Sequence, residues 1–284
     1  MPHDLGDVVT ALSSSRPDIV TRLRSAGCVF AEDEARLLVA TAGTPAELAA
    51  MVERRVSGMP LEYVLGWAEF RGLRIAVEPG VFVPRRRTEF LVGLAATLAP
   101  ASPVVVELCC GSAAVGAALL AELAAVELHA VDIDPVAVRC ARANIAPDGD
   151  AYVGDLDAPL PAGLRDRVDV LVANAPYVPT GEIGLMPPEA RLHEPQVALD
   201  GGADGLDVQR RVIAAAPRWL TPRGHLLIET SAHQAEQTAE ALALSGLHPR
   251  IARSDDLDAT VVIGAPTHRT ESDLPVINKS TPLS

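Results

Sequence analysis

The chain is poor in aromatic residues, which make up 3 % of its 284 residues, whereas 49 % are hydrophobic. A core built largely from Ala, Val and Leu must pack helices and strands closely over small side chains. Cysteine is scarce too. Cys28, Cys109, Cys110 and Cys140 show no metal-ligand spacing, and two of them are adjacent. The pattern argues against a zinc site or a disulfide framework, so no metal is expected. Reduced, mostly buried thiols in a cytoplasmic protein are the expectation. Long apolar runs are missing: no uncharged stretch reaches the ~18 residues of a membrane span. Met1-Pro2-His3-Asp4 lacks a basic region followed by an apolar core, so no signal peptide is expected. Positive charge is in deficit, with a net charge of −13. An acidic surface repels phosphate backbones and disfavours direct nucleic-acid binding. Arg85-Arg86-Arg87 is the one dense basic patch.

What is present is organised in two patterns. Residues 1 to about 65 read as helical. Thr44-Pro45-Ala46-Glu47 is a helix start: a Thr cap, Pro in the first turn, Glu three residues on. An earlier helix fits Asp33 to Ala42. Phe70 to Val77 suggests a hairpin. From about residue 88 strands and helices alternate, and Thr88 is placed to cap a helix through Leu98. Strands are expected at 104–108, 128–131, 151–153, 168–173, 225–229, 250–253 and 260–263. This rhythm argues for a largely parallel, doubly wound α/β sheet. Residues 266–284 are polar and Pro-punctuated and read as a flexible tail.

Chemistry concentrates at the carboxyl ends of the strands, where open α/β sheets bind ligands. Glu107-Leu-Cys-Cys-Gly111-Ser-Ala-Ala-Val-Gly116 joins the first of these strands to its helix. It is a loop of small residues, with Ser112 and Ala113 beside Gly111, but not a clean Gly-x-Gly-x-x-Gly. Cys109 and Ala113 stand where glycine is usual. Asp132 follows Gly111 by 21 residues at the next strand end, placed to grip ribose hydroxyls. Asp155 ends the third strand, within reach of an adenine amino group. Asn174-Ala175-Pro176-Tyr177 follows the fourth. A carboxamide, a backbone carbonyl and a ring clustered there could accept both hydrogens of a planar NH2 group while the ring packs on its face. A strand followed by Asn and Pro is also an ordinary turn signal. His193 reads as a structural loop residue, and Trp67 and Trp219 read as core.

These residues resemble the HemK/PrmC family, protein-(glutamine-N5) methyltransferases that modify peptide-chain release factors. The likeness spans roughly residues 50–265. It is carried by Gly58-Met-Pro-Leu-Glu-Tyr-Val-Leu-Gly66, by Val83-Pro84-Arg85-Arg86-Arg87-Thr88-Glu89, and by Asn174-Ala175-Pro176-Tyr177. Glu194-Pro195 and Asp204-Gly205-Leu206-Asp207 continue it. Ala175 departs from the usual Asn-Pro-Pro-Tyr.

The resemblance implies a Rossmann-like class I methyltransferase domain, with a seven-stranded, mostly parallel sheet, over residues 76–265. It also implies a helical substrate-recognition domain over 1–75 and a linking β-hairpin. S-adenosylmethionine is the implied cofactor, held by Glu107, Cys109, Cys110, Gly111, Ser112, Ala113, Asp132, Asp155, Leu156 and Asn174. Asn174, Pro176 and Tyr177 are the implied catalytic group. Those residues with Ala175, Arg85 and Glu194 form the implied substrate site. A release-factor-like protein is the implied partner. Two other readings stay open: an amino-methyltransferase acting on a base or a small amide metabolite, and a non-catalytic binder of the cofactor.

Overall fold

The computed structural model describes residues 16–267. The described residues begin with four helices, α1 (Arg16–Ser25), α2 (Ala31–Thr41), α3 (Pro45–Val56) and α4 (Leu61–Leu65). Thr44 caps α3 as expected: its side-chain oxygen accepts the Glu47 N–H at 3.1 Å. Leu23, Leu38, Leu48, Val52 and Val64 close a separate apolar cluster among these helices. The cluster is tied by an ion pair withdrawn from solvent. Arg55 Nε donates to Glu34 Oε2 at 2.7 Å and Arg55 Nη2 to Glu34 Oε1 at 3.1 Å.

A hairpin follows, β1 (Trp67–Phe70) with β2 (Leu73–Ala76). The chain reverses at Arg71-Gly72, both at positive φ. The boundary expected at residue 75 therefore falls inside β2. Helix α5 (Glu89–Leu98) then leads into the main sheet.

That sheet comprises β3 (Val104–Leu108), β4 (Glu127–Asp132), β5 (Gly149–Val153), β6 (Val168–Ala173), β7 (Leu220–Thr230), β8 (Leu247–Ser254) and β9 (Ala259–Pro266), in the order β5-β4-β3-β6-β7-β9-β8. Strands β3 to β7 run parallel, and β9 pairs antiparallel with both β7 and β8. Helices α6 (Ala114–Glu122), α7 (Pro135–Ile145), α9 (Asp207–Ala215) and α10 (Ala235–Leu244) cover the sheet, while the short α8 (Pro188–His193) lies in the long connection after β6. Strands β3 and β6 are buried almost throughout, as central parallel strands must be when helices cover both faces. The order reverses at β3, with β4 on one side and β6 on the other. A crevice therefore opens above the carboxyl ends of these strands.

Most expected elements form where the periodicity placed them. Helix α9 ends at Ala215 and passes into a short 3₁₀ turn at Ala216–Arg218. Pro217 cannot continue the α-helical hydrogen bonding there. Of the expected tail, Pro266 ends β9 and residues 268–284 lie outside the described residues, as do residues 1–15 of the expected helical domain.

Candidate functional site

The crevice is lined by four strand-end loops: Cys109–Ser112 after β3, Asp132–Asp134 after β4, Asp155–Leu156 after β5 and Asn174–Tyr177 after β6. The loop before α5 adds Phe82, Arg85, Arg87 and Thr88, and the connection after β6 adds Met186, Pro195 and Val197.

The loop after β3 is stitched to the end of β4. Cys110 N–H donates to Val131 O at 3.0 Å, and Gly111 N–H to Asp132 Oδ2 at 2.8 Å. Asp132 Oδ1 accepts from Asp134 N–H at 2.9 Å. Burial pushes the Asp132 carboxyl up from its ordinary range, against these donors. Each of its oxygens keeps acceptor capacity for a ligand hydroxyl. Glu107 Oε2 accepts the Gly116 N–H at 2.8 Å, and a Cβ at Gly116 would lie 2.7 Å from that oxygen. Burial pushes the Glu107 carboxyl up to about 8.

Cys109 and Ala113 both sit at φ +56°, and Leu156 at +49°. This left-handed region costs an L-residue about 1–2 kcal/mol. The two positions where glycine is usual thus keep the backbone that glycine would adopt, under strain, and Leu156 across the crevice does likewise. Strain of this kind collects at ligand sites because the surrounding fold over-determines it. Burial raises the Cys109 and Cys110 thiols well above their ordinary range, so both stay protonated. All four cysteines are free thiols. Among the described residues no cluster has the makings of a metal site, and no helix is long and apolar enough to cross a membrane.

The structure brings most of the expected residues to one crevice, with three qualifications. Ala113 is wholly buried behind the loop and does not line the crevice. Glu194 lies under the wall rather than on it. Its carboxylate is 2 % exposed and accepts Arg85 Nη2 at 2.6 and 2.7 Å and Val83 N–H at 3.3 Å. Thus Glu194 holds Arg85, and Arg85 faces the crevice. Asp155 is half exposed, and its carboxylate is held at 2.6 Å by Arg211 of α9.

Thr88 does not cap α5. Its backbone is already helical, because a 3₁₀ turn at Arg86–Thr88 precedes the helix. Its hydroxyl instead accepts Asn174 Nδ2 at 3.3 Å. The basic patch is likewise not a free cation cluster. Arg85 is committed to Glu194, while Arg87 pairs with buried Glu229 at 3.3 Å and lies 5.8 Å from the Tyr177 ring centroid. Trp219 is buried as expected, with Nε1 donating to Asp157.

Several residues escaped the sequence reading. Gln234 Nε2 donates to Tyr177 O at 2.9 Å and to Asp204 O at 3.0 Å, which fixes the turn after Asn174. Arg211 and Phe82 carry no motif signal. Glu229 had one: it is a carboxylate at the carboxyl end of an otherwise apolar strand.

Comparison with known proteins agrees with this geometry. Residues 72–186 match the family described as Methyltransferase small domain. The chain is 39 % identical over 206 residues to a release factor glutamine methyltransferase of Geobacter sulfurreducens, covering 71 % of this chain and 72 % of that one. It is 40 % identical over 205 residues to a protein of the same name from Gloeobacter violaceus, covering 69 % and 71 %. The chain belongs to the release factor glutamine methyltransferase family. It is therefore an S-adenosylmethionine-dependent methyltransferase. The class I fold is shared with a ribosomal protein L11 methylase of Lactobacillus delbrueckii, at 17 % identity and a TM-score of 0.50, over 68 % of this chain and 86 % of that one. The residues of the crevice suit the cofactor this family uses. The buried, backbone-held carboxylate at Asp132 has the acceptor capacity that ribose hydroxyls need, and the loop of small residues leaves its backbone open to close approach.

Proposed function

We propose that this methyltransferase acts on the side-chain amide nitrogen of a glutamine in a peptide-chain release factor, and that Asn174 orients that nitrogen. The observation that carries the reading is the Asn174 amide at the end of β6, half-buried, facing the crevice beside Tyr177. Its Nδ2 is engaged by Thr88, so Oδ1 is left to accept.

An amide nitrogen is a poor nucleophile, because its lone pair is delocalised into the carbonyl. The bound cofactor supplies an electrophilic methyl group on a sulfonium. The protein has to hold the nitrogen in line with it. Asn174 Oδ1 and the Ala175 backbone carbonyl each accept one N–H of the substrate amide, which fixes its plane, and Tyr177 packs on its face. Such positioning is worth up to ~7–11 kcal/mol. No general base is required, since the nitrogen becomes acidic once alkylated and releases its proton to solvent.

In the same reading Asp132 holds the ribose, Asp155 and Leu156 border the adenine, and residues 107–113 shape the methionine end. Arg85, steadied by Glu194, and the helical layer α1–α4 meet the substrate protein. A release factor as substrate places the work in the cytoplasm, where translation occurs. The acidic surface supports a protein partner rather than direct nucleic-acid binding.

The test is transfer from labelled cofactor to an unmethylated bacterial release factor, with mass mapping of the product. One methyl group on one glutamine is expected. Label in nucleic acid, in a small metabolite or nowhere would overturn the reading.

A further inference from the structure

Three polar side chains lead inward from the crevice wall, where Asn174 and Thr88 lie, to buried Glu229. Ala173 of β6 pairs with Ile228 of β7 in parallel register, so Asn174 and Glu229 are the next residues on neighbouring strands. Glu229 is 1 % exposed and Thr88 is 4 % exposed. Thr88 comes from the turn before α5 and places its hydroxyl between the two. Asn174 Nδ2 donates to Thr88 Oγ1 at 3.3 Å. On the other side the Thr88 hydroxyl faces the Glu229 carboxyl, which burial pushes up from its ordinary range and which Thr88 and Arg87 draw back down. Arg87 Nε donates to Glu229 Oε1, and buried Glu229 Oε2 retains its capacity to accept.

A threonine hydroxyl has one proton to give. Committed to a carboxylate, that proton leaves the oxygen able only to accept. The oxygen must then face the NH2 end of Asn174 and not its carbonyl end. We propose that Glu229 and Thr88 are positioning residues that set the orientation of the Asn174 amide, turning Oδ1 toward the substrate nitrogen. With the amide reversed, Nδ2 would meet the substrate NH2 donor to donor, and the acceptor pair that fixes the nitrogen would be lost. Arg87 belongs to the same device. It steadies Glu229 on one side and sits over the Tyr177 ring on the other. The inference rests on the role proposed for Asn174, which the experiment can separate from it.

Thr88→Val removes the hydroxyl at nearly constant shape, Thr88→Ser restores it, and Glu229→Gln removes the anionic acceptor. In the full chain, Thr88→Val should slow single-turnover transfer by ~10-fold or more, since small misplacements of the nucleophile are costly. Cofactor affinity by calorimetry should stay within about twofold of wild type, by the same separation of positioning from binding. Thr88→Ser should recover most of the rate, and Glu229→Gln should fall below wild type. The Asn174 side-chain NH2 resonances, protected from exchange in the wild-type protein, should lose protection in Thr88→Val and regain it in Thr88→Ser. Wild-type rate with undiminished protection in Thr88→Val would overturn the proposal. So would a Thr88→Ser variant as slow as Thr88→Val, which would assign the effect to packing. A wild-type rate in Glu229→Gln would remove Glu229 from the device. If wild-type protein does not methylate a release factor, the substrate reading falls, while the exchange comparison still decides the orientation of Asn174.

Discussion

Arg55 Nη1 donates to Glu189 Oε1 at 2.6 Å and so joins α3 of the helical layer to α8, in the connection that supplies Met186, Pro195 and Val197 to the crevice wall. The Arg55 side chain is 8 % exposed and also holds Glu34, whereas Glu189 is half exposed. The two carboxylates therefore carry different weights. Removing the cation strands a buried charge on Glu34, which costs about 3–5 kcal/mol. We predict that Arg55→Ala destabilises the chain by that order, whereas Glu189→Gln costs under ~1 kcal/mol, as for an exposed pair. Urea denaturation of both variants checks this, and equal losses would refute it.

Asp132 is the carboxylate placed for ribose. Asp132→Ala should weaken S-adenosylmethionine binding by about 1–3 kcal/mol, as two hydroxyls lose a charged acceptor. Calorimetric titration of the folded variant is the check. Unchanged affinity would remove Asp132 from the cofactor site.

Asn174 should separate binding from chemistry. Asn174→Ala removes little packing, so cofactor affinity should change modestly. Methyl transfer should fall by ~100-fold or more, because orientation of the nitrogen carries the rate. Single-turnover kinetics on the release factor reads this directly, and a wild-type rate would refute the role.

Glu107 predicts a pH dependence of stability. In the folded chain its carboxyl keeps its proton up to about 8, while the ordinary value is 4.5. Folding takes up a proton between those values, so the stability present below the lower one is lost as pH rises through the higher one. Glu107→Gln keeps an acceptor for the Gly116 N–H and cannot ionise. The melting temperature of the wild-type protein should therefore fall more steeply than that of Glu107→Gln across this interval. Parallel curves would show that Glu107 is not the titrating group.

Gly205 is held against the turn that carries the motif. It has φ +78°, and an added Cβ would collide with Tyr177 O and Gln234 Nε2. Gly205→Ala should cost at least ~2 kcal/mol, from the left-handed backbone and the clash with main-chain oxygen together. It should also slow transfer by moving Tyr177. Chemical denaturation and single-turnover rates test both parts, and a neutral substitution would contradict this packing.

Local pattern in the sequence determined the elements that local physics governs. Thr44 announced its helix because a short side chain accepting the backbone N–H three residues on is a sequence-local interaction. The apolar run Val168–Ala173 announced a central strand because burial on both faces leaves no room for alternation. The crevice was legible through strand ends: Gly111, Asp132 and Asn174 each follow an apolar run, and parallel topology puts such ends on one edge. Tertiary structure alone decided which side chain serves which. Thr88 precedes a helix and reads as a cap, but its hydroxyl serves Asn174, 86 residues away. Glu194 reads as a site residue, but it is spent on Arg85, 109 residues distant. Glu189 sits in no motif, yet it meets Arg55 across 134 residues. A buried charge must find a partner wherever the fold brings one, and periodicity holds no record of that pairing.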